Sequence, residues 1–204
     1  MEEKVLSIEM EARILQAATT VFIRKGKAGA SMQEIAQKAD INRTLLNYYF
    51  RSKDKLFERV FSGVFLKFIP ALLERLNSDK PILKRLEEVI DYYFHILLEN
   101  PLIPVFILQE LATNPVRLVK NIREGGVDPL FVISILRNEM VKGNLKKMDP
   151  RVIIINLLSL VVFPFAARPV MEGLIFDGDE REYLDFLRKR RIDLKKNFIE
   201  SVKP

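Results

Sequence analysis

The chain has 204 residues, of which 49% are hydrophobic, and a formal charge of +6, so it can build a sizeable core and is too apolar to remain disordered. It contains no cysteine, which excludes a disulfide framework, a thiolate zinc site and a cysteine nucleophile, and it fits a reducing cytoplasm. The basic balance admits nucleic acid or an anionic membrane as partner. It is unevenly spread: Arg24 to Arg59 holds nine Lys/Arg against four Asp/Glu.

Apolar positions recur at three and four residues rather than two, so the expected fold class is all-α. The opening MEEKVLSIEMEAR is acidic and helix-like, with no apolar signal core, and export is not expected. The first helix should bury Ile8, Ala12, Ile14, Leu15, Ala18 and Phe22 and stop at Lys25-Gly26, where glycine suits a left-handed position. Ser31-Met32-Gln33-Glu34 reads as a capping box that starts a short helix to about Ala39. Asp40-Ile41-Asn42 makes a tight turn, and a second short helix follows from Arg43 to Tyr49. Ser52 then caps a longer helix to about Leu76. Further helices are expected at about Pro81–Glu99, Leu102–Thr113, Val116–Ile122, Asp128–Val141, Pro150–Glu172 and Asp179–Val202.

This pattern divides into a three-helix unit, residues 1–51, and a larger helical body, residues 52–204. The most apolar stretch, Val152 to Ala167, contains Asn156 and Pro164 and ends at Arg168, short of the roughly 20 residues a membrane span needs. A buried helix is expected there, and no membrane as partner.

Helix, short turn and second helix is the helix-turn-helix arrangement, in which the second helix enters the major groove. Leu46 and Phe50 lie about 40° apart on the second helix and can pack inward, leaving Thr44, Asn47 and Tyr48 on the opposite half. Arg43 suits a bidentate contact to guanine and Asn47 one to adenine. Tyr48 can give its hydroxyl to a phosphate, and Lys53 and Lys55 add charge beside a helix N-terminus. Packing alone is the competing account of Tyr49, and N-capping alone of Asn42.

Across about Glu11 to Phe61 the sequence resembles the N-terminal domain of TetR-family transcriptional regulators. The resemblance rests on ILQAATTVF…KG in the first helix, S…IAQKA in the second and YYFRSKDKL at the end of the third. It implies DNA contacts from Asn42, Arg43 and Thr44 at the start of the recognition helix, from Asn47, Tyr48 and Tyr49 further along, and from Ser31 and Lys53 at flanking helix starts. Thr44, Leu45 and Asn47 depart from the residues common in the family, so the operator sequence does not carry over.

Beyond Phe61 the similarity is one of plan. Two helices, about 150–172 and 179–202, are expected to form a homodimer. One row is Val152, Ile155, Leu158 and Val162; the other is Tyr183, Phe186, Arg190, Leu194 and Phe198. The resemblance also implies a small apolar effector in the body, and Phe65, Tyr92, Phe94, Phe106, Gln109, Phe131, Asn156 and Phe163 are candidate lining residues, although such side chains more often form plain core. Asp91, His95 and Glu99 share one helical face, a spacing that also gives an ordinary exposed charge ladder; no metal, cofactor or catalytic residue is expected.

The sequence therefore reads as a cytoplasmic, non-enzymatic repressor that binds a palindromic double-stranded DNA operator and is released by a small apolar ligand. The alternatives are a DNA-binding factor without an effector and, from another class, a helical enzyme or membrane-associated adaptor.

Overall fold

The computed structural model describes residues 2–124, 126 and 128–204, and their side chains except at 2–5, 64–67 and 121. Its helices are α1 (Glu2–Gly29), α2 (Met32–Lys38), α3 (Arg43–Tyr49), α4 (Lys53–Leu76), α5 (Ile82–Glu99), α6 (Ile103–Thr113), α7 (Pro115–Glu124), α8 (Pro129–Val141), α9 (Pro150–Ala166), α10 (Arg168–Ile175) and α11 (Glu180–Val202). No strand occurs among the described residues, and no single helix there is long and apolar enough to cross a membrane.

The chain divides into two compact units, 1–67 with 105–125, and 68–104 with 126–204. This division differs from the expected one at 51/52, because the first part of α4, to residue 67, and the segment 105–125 group with the N-terminal helices. No local pattern announces that return. It rests on Phe106 and Leu118, which are buried in the same core as Phe22, Phe57 and Phe61.

In the first unit, α1 buries Ile14, Ala17, Ala18, Val21 and Phe22 against α2. Ile8 and Ala12, expected on that face, are exposed, because the inward stripe is centred on Ala18 rather than on the row through Ile8. Gly26 takes φ 66°, the left-handed break expected after Lys25, and one further helical turn to Gly29 follows it. A side chain at Gly26 would also meet the amide of Gln109, whose Oε1 would lie 2.6 Å from its Cβ.

In the second unit α11 packs along α5 and α9. Ile90, Phe94 and Leu97 of α5 meet Leu187, Leu194 and Phe198 of α11 and Val161 and Phe165 of α9 in one core. The helix expected over Pro150–Glu172 is two helices, α9 and α10, bent by 67° at Ala167. Pro169 explains the break: its ring disfavours helical angles at the preceding residue and removes an N–H. Pro164 stays inside α9 because its cost is met from α11. The Leu160 carbonyl, deprived of its helical donor, accepts from Arg190 Nη1 at 3.2 Å, and the Pro164 carbonyl accepts from the buried Tyr183 hydroxyl at 2.7 Å.

A second polar anchor in this unit is the buried carboxylate of Glu139, which accepts from Arg85 at 3.0 Å, Lys142 at 3.0 Å and Asn144 at 2.7 Å. Burial by itself would raise the Glu139 carboxyl, but these hydrogen bonds outweigh it and hold the group below its ordinary value.

Candidate nucleic-acid interface

The turn between α2 and α3 aims the second helix. Asp40 adopts φ 52°; its N–H donates to the Gln37 carbonyl at 3.1 Å, and the Ile41 N–H reaches back to Ala36 at 3.0 Å. This is a Schellman closure with aspartate in the left-handed position usually held by glycine. Ile41 is thereby turned onto the core beside Ile35 and Ala36, and Asn42 accepts from the Leu45 N–H at 2.8 Å to start α3.

Helix α3 has the expected two sides. Leu46 and Phe50 are buried, while Arg43, Thr44, Asn47 and Tyr48 are exposed, Tyr48 at 80%. A tyrosine ring left this far in water contributes little to folding. Tyr49 is half-buried and meets Tyr48 edge-on, with ring centroids 5.5 Å apart. Its ring packs while its neighbour's projects.

The flanking helix starts carry the other predicted residues. Ser31 is exposed and caps α2 by accepting from the Glu34 N–H at 3.1 Å. The return half of the capping box is replaced, since the Glu34 carboxylate pairs with Lys25 at 2.7 Å. Lys53 donates to the Ala30 carbonyl at 3.1 Å, which fixes its ammonium between the starts of α2 and α4 and leaves two donors for an anion. Lys27 and Asp54 form a pair at 2.8 Å, and that pairing holds the Asp54 carboxyl below its usual range. Among the described residues Arg24, Lys38, Arg43, Arg51 and Lys55 have no ion-pair partner. The structure thus brings Arg43, Thr44, Asn47 and Tyr48 onto one open face, with Asn42, Tyr49, Ser31 and Lys53 placed at its helix ends and flanks.

Sequence reasoning missed the support behind this face. Arg117 of α7 is paired with the buried Glu110 of α6, and its guanidinium lies 5.3 Å from the Phe57 ring centre. Lys27 approaches the same ring at 5.5 Å. The only local sign in the sequence is an acid and a base seven residues apart across Pro115.

The eight effector candidates are not brought together. Phe106 and Gln109 belong to the first unit, Phe106 packed on Phe57 and Phe61 at 5.4 Å each and Gln109 set against Gly26. In the second unit Phe94 is core, edge-on to Phe165 at 5.8 Å, and Tyr92 lies under Arg75 at 3.9 Å. Phe131 and Phe163 are exposed, and Asn156 lines an open groove with Arg190 and Asn197. The side chain of Phe65 lies outside the described residues. Of the three residues on the α5 charge ladder, Asp91 is paired with Lys195 at 2.7 Å, and His95 with Glu99 at 3.6 Å. Among the described residues no group of His, Asp and Glu is placed to hold a metal ion.

The expected dimer row on α11 is also corrected. Tyr183, Leu194 and Phe198 are buried in the chain's own core, because α11 lies flat on α5. On α9 the outward stripe is Val152, Ile155, Asn156, Ser159, Leu160 and Phe163.

A three-helix unit that presents a polar, tyrosine-bearing second helix defines a helix-turn-helix protein. Residues 14–60 match the family model of bacterial regulatory proteins of the tetR family, a match that supports a TetR-family regulator. It is 31% identical over 117 residues to an HTH-type transcriptional repressor of Mycobacterium tuberculosis, covering 56% of this chain and 60% of the relative. It is 30% identical over 92 residues to YttP, a probable HTH-type transcriptional regulator of Bacillus subtilis, covering 45% and 44%. The chain therefore spans about half the length of these curated relatives. Among solved structures, a linker-substituted variant of HlyIIR aligns with a TM-score of 0.67 and 26% identity over 96% of this chain and 97% of that one. A TetR transcription regulator of Haloarcula marismortui aligns with a TM-score of 0.69 over 96% and 99%; at 17% identity it shares the fold alone.

Proposed function

We propose that this chain is a DNA-binding transcriptional repressor that holds a palindromic operator as a homodimer and releases it when a small apolar effector binds. The observation that carries the reading is the exposed row Arg43, Thr44, Asn47 and Tyr48 on a helix anchored from behind by Leu46 and Phe50. Arg43 and Asn47 read base edges, Thr44 meets a base or a thymine methyl, and Tyr48 and Lys53 hold the phosphates. Ser31, Asn42 and Tyr49 contribute contacts at the edge of that surface.

Two copies are needed because one short helix spans only part of a site, and two heads about 34–36 Å apart enter successive major grooves. Support comes from α9, where Ile155 is 61% and Phe163 59% exposed in the single chain. Apolar side chains in such a row are covered in a stable protein, and a second copy covers them symmetrically. The effector acts by differential affinity, favouring a dimer geometry that fits the operator poorly. No step of chemistry on a substrate is involved, and the protein works in the cytoplasm.

The test is selection of bound duplexes from a random pool with the purified protein, followed by titration at several salt concentrations. A palindromic consensus, with affinity falling steeply as salt rises, is expected from several phosphate contacts. Failure to enrich any sequence, with weak binding indifferent to salt, overturns the reading.

A further inference from the structure

We infer that the polar groove between α9 and α11 is filled by the same groove of a second copy, each Arg190 pairing with Asp193 of the other chain. This pairing selects which chains can associate. The groove measures about 380 Å³. Leu194 and Phe198, both buried, form its floor, and Asn156 of α9 with Arg190, Asp193 and Asn197 of α11 form its rim. The inference rests on the proposed homodimer and goes beyond it, because the exposed Ile155 and Phe163 suit any apolar helix, whereas a charged rim discriminates.

A two-fold interface must be its own complement: where residue i meets residue j, j also meets i. The rim satisfies that condition. Arg190 and Asp193 stand three residues apart on one face of α11, and among the described residues neither has an ion-pair partner, while the neighbouring Arg188, Arg191 and Lys195 do. Antiparallel contact of two α11 helices, centred between positions 190 and 193, sets each guanidinium opposite a carboxylate. The amides of Asn156 and Asn197 both donate and accept, so they too can face a second copy of the same rim.

Arg190 is held ready for such a contact. Its Nη1 donates to the Leu160 carbonyl at 3.2 Å, which anchors the guanidinium in the groove and leaves most of its N–H donors free. Burial pushes this guanidinium below its ordinary value, so the charge is partly desolvated without an ion-pair partner. A cation in that state gains more from an incoming carboxylate than one in open water does, and Asp193 of the second copy supplies it as packing closes the groove. A chain that set like charges against these two positions would be rejected.

The test follows the full-length chain by sedimentation equilibrium, and mixtures of chains by native mass spectrometry. The wild type should be dimeric. Arg190→Glu and Asp193→Arg should each raise the dimer dissociation constant at least tenfold, because like charges then meet twice across the two-fold axis, while helix content by circular dichroism stays unchanged. Mixing the two single variants should restore association as a heterodimer, a rescue that mere loss of folding would not allow. The double variant should pair with itself and not with the wild type. Single variants that dimerise as tightly as the wild type, folded single variants that stay monomeric when mixed, or a double variant that pairs with the wild type would each overturn the inference and leave the homodimer standing, the groove then belonging to another occupant. A monomeric wild type would overturn the homodimer and the inference together.

Discussion

Arg43 and Lys53 stand ten residues apart, at the starts of α3 and α4, in different surroundings. Arg43 is exposed without an acidic partner among the described residues, so its planar fork is free for a base edge, whereas Lys53 is already tethered to the Ala30 carbonyl. Arg43→Ala should relax preference at one or two base pairs, by about 1–3 kcal/mol, whereas Lys53→Ala should weaken all duplexes alike. Competition titrations against single-base operator variants distinguish the two, and equal losses on specific and random DNA for both mutants would refute these roles. Glu139 carries a prediction about pH. Its folded carboxyl titrates below the ordinary value of 4.5, so the stability it contributes is fully present above that value and is lost as pH falls through the folded value. Glu139→Gln leaves Arg85 buried without its counter-charge and should cost about 3 kcal/mol at neutral pH. The gap between wild type and mutant in urea melts should narrow below about pH 4; a gap independent of pH would remove Glu139 from the account.

At the scale of elements, the recognition helix owes its direction to the turn before it, and α9 owes its continuity through Pro164 to the helix beside it. Asp40 tolerates the left-handed angle that closes α2, and the closure sets where α3 begins. In α9, Pro164 removes one helical hydrogen bond, and both carbonyls left wanting, Leu160 and Pro164, are served by Arg190 and Tyr183 of α11. Tyr183→Phe should therefore cost about 1–3 kcal/mol, the penalty for a buried carbonyl left without a donor. Pro164→Ala returns a donor to Leu160, so the cost of Arg190→Met should shrink in that background. A double-mutant cycle measured by thermal denaturation decides this, and strict additivity would show that Arg190 acts otherwise.

For the molecule as a whole, the decisive surface is the outward stripe of α9. If Ile155 and Phe163 are covered by a second copy, Ile155→Glu and Phe163→Glu should each shift the protein from dimer to monomer in sedimentation equilibrium. Operator affinity should then fall at least tenfold, since paired half-sites no longer bind as one unit, while the helix content stays unchanged. A wild-type protein that sediments as a monomer would sink the dimer.

What the sequence determined by itself was local. The capping serine at position 31, the Asp40 turn, the Asn42 cap and the inward spacing of Leu46 and Phe50 all follow from short-range preferences, and α3 falls on Arg43–Tyr49 as those preferences dictate. Exposure of the reading face follows from the same periodicity. Tertiary structure alone decided what depends on contacts between distant segments. Phe106 looked like a pocket residue because aromatic character does not say which core a side chain joins, and the return of 105–125 to the first unit settled that. Tyr183 and Phe198 suited a dimer row equally well until α11 lay down on α5.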